Sequence, residues 1–199
     1  MVYCSYRIGD GYSELYNHNL VFITGRICSG KTLACKFIEN EFGYIHIPCS
    51  LIMLNLLDLA QNENLERRVI QDSGYNLISQ KEGNEKFAFE IYKFISNYSD
   101  GKVALDGLRS LNTLRPLEAH IQERFTIIHI GNRTKDLFSR YKEKYKNYIS
   151  YYDFSKMLNH PVELEINKFK PRIDFLVYNC DNLEAFYNII ERLFKNEFK

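Results

Sequence analysis

A chain of 199 residues, 45% of them apolar, is long enough for one α/β domain with its own core and leaves little room for a second. Its 26 Lys and Arg residues nearly balance its 25 Asp and Glu residues, so the net charge of +1 argues against stable nucleic-acid binding. Five cysteines without a Cys-x-x-Cys pair predict a reduced, cytoplasmic protein with no zinc site, and no apolar run reaches the ~18 residues of a membrane span.

Five short apolar runs are typical of buried parallel strands. They cover residues 20–24, 44–47, 102–106, 125–130 and 173–178. Helical spacing of apolar residues marks the segments 29–42, 49–98, 111–122, 134–148 and 182–197. Gly74 and Gly83 are predicted to break the long second helical segment. Alternating strands and helices predict a three-layer α/β fold, with a five-stranded parallel sheet and helices on both faces.

The segment Gly-Arg-Ile-Cys-Ser-Gly-Lys-Thr at residues 25–32 matches the Gly-x-x-x-x-Gly-Lys-Ser/Thr pattern of a phosphate-binding P-loop. It lies between an apolar strand and an amphipathic helix, which is the context that this loop requires; the alternative is an ordinary glycine-bearing turn. Glycines let the backbone approach closely, and the amides of residues 26–32 are predicted to converge on the β-phosphate of ATP. The predicted nucleotide-binding residues are Gly25, Arg26, Ile27, Cys28, Ser29, Gly30, Lys31 and Thr32.

Within this loop, the Lys31 ammonium is predicted to bind the β- and γ-phosphates, and the Thr32 hydroxyl to bind Mg²⁺. Asp106 ends the third strand, where sites form in open parallel sheets, and its carboxylate is predicted to hold the water shell of the same ion. An aspartate in a turn without function is the alternative for Asp106. Arg109 follows three residues later and could clamp an acceptor phosphate, or it could be a solvated arginine at the start of a helix.

Residues 133–146 carry six basic side chains against two acidic ones, directly after the fourth strand. Arg140 and Lys144 are four residues apart, so they share one face of the predicted helix. This run is predicted to be a lid that closes over the phosphates; a solvated helix face is the alternative.

Together these segments resemble the P-loop nucleotide kinases, and in particular the phage-type deoxynucleoside monophosphate kinases. Dephospho-coenzyme A kinases and adenylate kinases are more distant relatives of that family. The resemblance covers about residues 20–195. It divides the chain into an N-terminal extension at 1–18 and a kinase domain at 19–199, with a helical acceptor-binding region at 49–98 and a lid region at 133–160.

The resemblance also implies roles for residues outside the P-loop. The stretch Arg-Arg-Val-Ile-Gln-Asp-Ser-Gly at 67–74 is similar to the family's acceptor-binding helix, which implies that Arg68 faces the acceptor phosphate; a surface arginine is the alternative. The family's "strand, Asn, turn, Leu-Glu" ending lies near the adenine, which implies that Asn179 could contact the base; an asparagine that suits such a turn without any ligand is the alternative. The segment His-Pro-Val-Glu at 160–163 resembles a His-x-x-Glu segment before the last strand, to which the sequence assigns no role.

Two positions depart from the family's pattern. Lys144 stands where an arginine is common, and lysine lacks the planar fork that binds a phosphate in bidentate fashion. Leu137 fills another position that is often arginine. A lid that lacks arginine at these two positions brings the rate of phosphoryl transfer into question.

The sequence therefore predicts an ATP- and Mg²⁺-dependent kinase for a nucleoside or deoxynucleoside monophosphate. Lys31, Asp106, Arg140 and Lys144 would be catalytic, and Arg68 and Arg109 would bind the acceptor. A non-catalytic or regulatory nucleotide-binding protein is one alternative. A kinase for dephospho-coenzyme A or an RNA end is another.

Overall fold

The computed structural model describes most of the chain. The described residues are 6–7, 19–60, 66–98, 101–146, 149–179 and 182–198. The predicted N-terminal extension at 1–18 therefore lies outside the described residues, apart from its short strand at 6–7. No helix in the described part of the chain is long and apolar enough to span a membrane.

A central sheet organises the fold. Its strands are β1 (Tyr6–Arg7), β2 (Leu20–Gly25), β3 (Ile45–Pro48), β4 (Val103–Asp106), β5 (Thr126–Gly131) and β6 (Phe175–Tyr178). They lie side by side in the order β1-β6-β5-β2-β4-β3. Strands β2 to β6 run parallel, and the two-residue β1 pairs antiparallel with β6 at the edge. The predicted five-stranded parallel sheet is confirmed.

Helices follow the strands along the described chain. They are α1 (Lys31–Phe42), α2 (Cys49–Leu56), α3 (Arg67–Ile78), α4 (Lys81–Ser96), α5 (Leu111–Ile121), α6 (Thr134–Tyr145), α7 (Tyr151–Leu158), α8 (Pro161–Leu164) and α9 (Leu183–Glu197), with a 3-10 helix at Glu165–Arg172.

Two cores lie on opposite faces of the sheet because side chains alternate along each strand. In β2, Leu20 and Phe22 join a cluster with residues of α4 and α5, whereas Val21 and Ile23 join a second cluster with residues of α1 and α9. These strand residues are almost fully buried. The arrangement gives the predicted three layers, with helices on both faces.

The predicted helix breaks at Gly74 and Gly83 are wrong, because both glycines lie inside helices. A Cβ atom on Gly74 would lie 2.8 Å from Sδ of Met53, and one on Gly83 would lie 1.9 Å from the carbonyl oxygen of Leu77. Glycine at these positions therefore permits close packing between helices instead of ending them. Within the described residues, the helical region at 49–98 is interrupted after α2 and at residues 79–80.

Candidate functional site

The P-loop connects the carboxyl end of β2 to the start of α1, as its sequence predicts. Gly25 and Gly30 have φ angles of 152° and 104°, which disfavour any residue with a side chain. A Cβ atom on Gly30 would lie 2.5 Å from Nδ2 of Asn179, and one on Gly25 would lie 2.8 Å from the carbonyl oxygen of Ile130. Both glycines are therefore required by backbone angle and by space.

Some P-loop donors already have protein partners. The Lys31 ammonium donates to the carbonyl oxygen of Arg26 at 2.8 Å and so folds across the loop. The amide of Ser29 also donates to this carbonyl, at 3.2 Å. The amide of Ile27 donates to the Glu163 carboxylate at 3.3 Å. Without a ligand, the amides of Ile27 and Ser29 thus donate within the protein, and the convergence of the loop amides on a phosphate stays a prediction.

Asp106 meets Thr32 and His46 at the end of β4. The Thr32 hydroxyl donates to Oδ2 of Asp106 at 2.7 Å, and Nε2 of His46 lies 3.3 Å from the same oxygen. Burial by itself raises the pKa of Asp106, but the His46 hydrogen bond, the charge of Lys31 and the Thr32 hydrogen bond together hold it below its usual value. The carboxylate is therefore ionised at neutral pH. Its oxygen beside a hydroxyl oxygen fits the all-oxygen ligand set that Mg²⁺ prefers.

Arg109 reaches back from the turn after β4 to the P-loop. Its Nη1 donates to Oε2 of Glu163 at 2.8 Å and to the carbonyl oxygen of Gly25 at 3.2 Å. The Glu163 side chain is 0% exposed, so this ion pair lies in a low-dielectric environment. Both contacts use Nη1, and they hold the guanidinium at the wall of the cavity that the P-loop also lines.

Glu163 connects three parts of the site. One carboxylate oxygen accepts from Arg109 and from the P-loop amide of Ile27, and the other accepts from Nε2 of Gln71 on α3 at 3.4 Å. The carboxylate thus joins the P-loop, the turn after β4 and helix α3. Sequence reasoning noticed the His-Pro-Val-Glu segment but missed this role. The local signal was the His-x-x-Glu segment, in which His160 caps α8 and Pro161 begins it.

Asn179 contacts the P-loop and is itself held by Arg140. The Asn179 amide nitrogen donates to the Ser29 carbonyl at 2.9 Å, and its amide oxygen accepts from Nη2 of Arg140 at 2.9 Å. The Asn179 side chain is therefore engaged at both ends and connects the P-loop with α6. Nη1 of Arg140 is buried and has no hydrogen-bond partner among the described residues.

Helices α6 and α7, in the segment predicted to be a lid, pack directly onto the P-loop. Ile27 lies in a buried cluster with Leu137 and Tyr141 of α6 and Phe154 and Leu158 of α7. Leu137 is 1% exposed, so it serves as a core residue at the position where the family often has arginine. This apolar contact holds α6 against the P-loop.

A cavity of about 690 Å³ is lined by the P-loop and by residues of α2, α3 and α4, a volume in the range of small-molecule sites. The predicted residues Lys31, Thr32, Asp106, Arg109 and Lys144 line it, together with Arg140 and Asn179. The end distant from the P-loop, here called the acceptor end, is lined mainly by apolar residues. These are Met53, Ile70, Gly74, Ile78, Phe87 and Val162.

Arg68 does not line this cavity. Its side chain is 85% exposed, and its nearest charged partner is Asp72 at 3.7 Å on the next turn of α3. Gln71 and Gly74 of the same helix line the cavity instead. The placement predicted for Arg68 is therefore corrected, because Arg68 lies on the solvent face of the helix.

His129 lies in β5, next to β2, which leads into the P-loop. Burial lowers the pKa of His129 to about 4, and the positive charges of Lys31, Arg26 and Lys170 act in the same direction. Its Nδ1 is buried without a hydrogen-bond partner in the described part of the chain. The imidazole is therefore neutral at pH 7, mainly because it is buried.

Comparisons with known proteins identify the fold. No protein-family model matches the sequence, and no curated protein matches it closely enough to count as a relative. Among solved structures, the chain is similar to a gluconokinase from Sinorhizobium meliloti 1021, with 14% identity, a TM-score of 0.53 and coverage of 90% of this chain and 95% of that one.

Two further kinases have the same architecture. A dephospho-CoA kinase from Campylobacter jejuni matches at 16% identity and a TM-score of 0.51, over 89% of this chain and 96% of that one. A shikimate kinase from Aquifex aeolicus vf5 matches at 12% identity and a TM-score of 0.51, over 89% and 97%. The predicted resemblance to P-loop kinases is therefore confirmed at the level of the fold, while the acceptors of these proteins differ from one another.

Proposed function

We propose that this protein transfers the γ-phosphoryl group of ATP to a nucleoside or deoxynucleoside monophosphate. One observation carries the proposal: a single cavity leads from a P-loop with Lys31 and Thr32, past Arg109, to an apolar acceptor end. A triphosphate at the P-loop and a phosphorylated acceptor at the other end would meet beside Arg109. Phosphoryl transfer needs this alignment more than any covalent step by the protein.

The chain's own residues supply positive charge along the transfer path. Lys31 moves from the Arg26 carbonyl to the β- and γ-phosphates, which are stronger acceptors than a neutral amide oxygen. Arg140 and Lys144 approach the transferring group from α6, which also lines the cavity. Thr32 and the ionised Asp106 would hold Mg²⁺. When bound, Mg²⁺ neutralises negative charge on the β- and γ-phosphates.

Arg109 is the proposed ligand of the acceptor phosphate. Its Nη1 donates to Glu163 and to the Gly25 carbonyl, so the other guanidinium nitrogens would face a phosphate in the cavity. An acceptor phosphate with a second pKa of about 6 is mostly ionised at neutral pH, so it attacks without help from a general base. Arg109 would bring this nucleophile towards the P-loop and offset its charge.

The acceptor end favours a flat apolar base over a polyhydroxy acceptor. A sugar acid carries many hydroxyl groups, each of which needs a hydrogen-bond partner when it is buried. The apolar residues defined above, Phe87 and Ile78 among them, offer very few such partners. Flat aromatic surface against Met53 and Phe87 suits a nucleobase instead.

One observation favours a non-catalytic nucleotide-binding protein as the second candidate. Arg140 is already hydrogen-bonded to Asn179, and Leu137 is buried in the lid core, so the lid offers fewer charges than the resemblance implies. Such a protein would bind ATP at the P-loop without rapid transfer.

An acceptor panel tests the proposal. Purified protein with ATP and Mg²⁺ is assayed for ADP formation with nucleoside and deoxynucleoside monophosphates, dephospho-coenzyme A, and the hydroxyl acceptors gluconate and shikimate. We expect ADP formation that depends on a monophosphate and a phosphorylated base-containing product. Turnover only with a hydroxyl acceptor contradicts the proposal. ATP binding without any acceptor-dependent turnover supports the second candidate.

A further inference from the structure

Three side chains that can bind a metal ion lie close together next to the P-loop helix. They belong to Cys35, His46 and Asp106. Cys35 lies on α1 one turn after Thr32, His46 lies on β3, and Asp106 ends β4. Their ligand atoms, a thiol sulfur, an imidazole nitrogen and a carboxylate oxygen, all lie within 4.8 Å of one another. Cys35 and Asp106 are buried, so the cluster is built into the fold and is unlike a group of exposed acidic residues.

The spacing of these atoms suits one metal ion. For any three atoms that lie within 4.8 Å of one another, there is a point no more than about 2.8 Å from each of them, where a metal ion could sit. Zinc bonds to sulfur, nitrogen and oxygen are about 2.0–2.3 Å long. Each ligand atom therefore needs to move by less than about 1 Å to complete the bonds. Nε2 of His46 and Oδ2 of Asp106 are already only 3.3 Å apart.

We propose that Cys35, His46 and Asp106 form a binding site for one zinc-like divalent cation. The donor set of one sulfur, one nitrogen and one oxygen suits zinc and discriminates against Mg²⁺, which prefers oxygen ligands only. Three protein ligands leave a fourth tetrahedral position for water. This site is distinct in chemistry from the Mg²⁺ site, although the two share Asp106.

The sequence pattern could not reveal this site. Zinc motifs are identified by ligands a few residues apart, whereas these three residues come from a helix and two strands that only the parallel sheet brings together. His46 follows Cys35 by eleven positions, and Asp106 lies sixty positions further on. The expectation of no zinc site came from local spacing alone.

Metal binding changes the protonation state of the thiol. Burial, followed by the negative charge of Asp106, raises the pKa of Cys35 well above its usual value, so the free thiol is neutral. The metal binds the thiolate, and the thiol proton leaves to solvent. The divalent charge then stabilises the thiolate and the Asp106 carboxylate together.

The shared carboxylate gives the site a consequence for activity, and this consequence rests on the proposed kinase function. Oδ2 of Asp106 accepts the Thr32 hydroxyl in the metal-free protein. A cation bound to this oxygen breaks the contact between Thr32 and Asp106 and withdraws the carboxylate from Mg²⁺. Zinc is therefore expected to inhibit phosphoryl transfer when Mg²⁺ is in excess.

The binding test uses Co²⁺ as a spectroscopic probe and Zn²⁺ as its competitor. One equivalent of Co²⁺ should give a near-ultraviolet thiolate charge-transfer band, which one equivalent of Zn²⁺ removes. Cys35→Ala should abolish the band and weaken Zn²⁺ binding at least ~100-fold, because even second-shell changes cost about 10–100-fold. Cys28→Ala, a change at a P-loop thiol that the cluster does not include, should keep the band.

A second variant tests the site independently in case Cys35→Ala does not fold. His46→Asn removes the imidazole from β3 and should retain a thiolate band but lose Zn²⁺ affinity by a similar factor. A band that survives in Cys35→Ala, or wild-type protein without a thiolate band, overturns the proposal.

Inhibition is measured separately by ADP formation at saturating Mg²⁺. Zn²⁺ should inhibit the wild type and inhibit Cys35→Ala at least tenfold less strongly. Equal inhibition of both proteins overturns the inhibitory role. A protein that binds Co²⁺ as described but forms no ADP with any acceptor supports the metal site and contradicts the proposed kinase function, so the two failures are distinguishable.

Discussion

The two ends of the cavity are built from different kinds of interaction. At the phosphate end, hydrogen bonds hold the charged groups in place. Lys31 donates to the Arg26 carbonyl, and Arg109 donates to Glu163. At the acceptor end, apolar side chains such as Met53 and Phe87 form the wall. Directional contacts fix where a phosphate binds, whereas an apolar wall fixes only the shape and polarity of what fits. The proposed phosphoryl transfer is therefore better supported than the proposed acceptor.

The largest expected effect follows from removal of the Lys31 charge. Lys31→Ala should lower kcat for ADP formation by about 10³-fold, because one preorganised donor at the transferring group contributes about that much. Lys36→Ala, on the exposed side of the same helix α1, is the matched control and should keep full activity. Steady-state assays of the three proteins measure the effect. Retained turnover in Lys31→Ala would mean that the P-loop does not bind the triphosphate.

Glu163→Gln tests whether the phosphate end depends on a buried charge. The substitution keeps the size of the side chain but leaves Arg109 without its carboxylate partner. Loss of one partner of a buried pair should lower the free energy of unfolding by about 3 kcal/mol. Glu165→Gln is the control, because the ion pair of Glu165 within the described residues is a short-range surface contact with Lys168, worth at most about 1 kcal/mol.

Urea unfolding of both Glu variants supplies the comparison, and the KM of the acceptor supplies a second readout. Glu163→Gln should also raise this KM, since the Arg109 guanidinium loses the contact that orients it. A change in stability below about 1 kcal/mol for Glu163→Gln would show that the carboxylate is not energetically central.

His129 provides a pH test of a buried, neutral imidazole beside the phosphate end. Its pKa is about 4 in the folded protein and 6.5 in the reference state. Below pH 6.5 the unfolded chain therefore binds a proton that the folded chain does not, so stability falls as the pH drops towards 4. At pH 5 this loss amounts to about 2 kcal/mol relative to neutral pH.

His129→Gln should remove that share of the acid destabilisation. Denaturant unfolding at pH 7 and pH 5 measures the difference for both proteins, and an equal loss in both contradicts the assignment. Bound ATP should raise the pKa of His129 as measured by NMR, because the triphosphate offsets the charges of Lys31 and Arg26 that help to lower it.

The sequence predicted the parts of the site that are local in the chain. The P-loop needs only a strand, eight residues and a helix, so its pattern was sufficient to identify it. Glu163 was missed because its partners Arg109, Gln71 and Ile27 lie 54, 92 and 136 positions away. The fold was predictable for the same local reason, since apolar strands and helical spacing are short-range patterns.

Sequence reasoning was less successful where one residue type can serve two purposes. Leu137 stood out as a departure from an arginine pattern, but burial against Ile27 makes it part of the lid core. Glycine was taken as a helix breaker at position 74, but there it makes room for Met53. Both errors arise because the packing partner lies far away in the chain.

The smallest expected effect concerns the acceptor end. Gly74→Leu would bring a Cβ atom to 2.8 Å from Sδ of Met53, and the displaced side chains would narrow the apolar end of the cavity. We expect the KM of the monophosphate acceptor to rise about tenfold, a size typical of a changed apolar pocket, while the KM of ATP stays constant.

Val69→Leu is the matched control for this substitution, because Val69 is 41% exposed on the same helix α3 and lies outside the cavity lining. Initial rates at varied acceptor and varied ATP separate the two constants. An equal rise in both KM values would mean that the two ends of the cavity are coupled. A rise confined to the acceptor would show that the apolar wall selects the acceptor independently of the charged groups that hold the triphosphate.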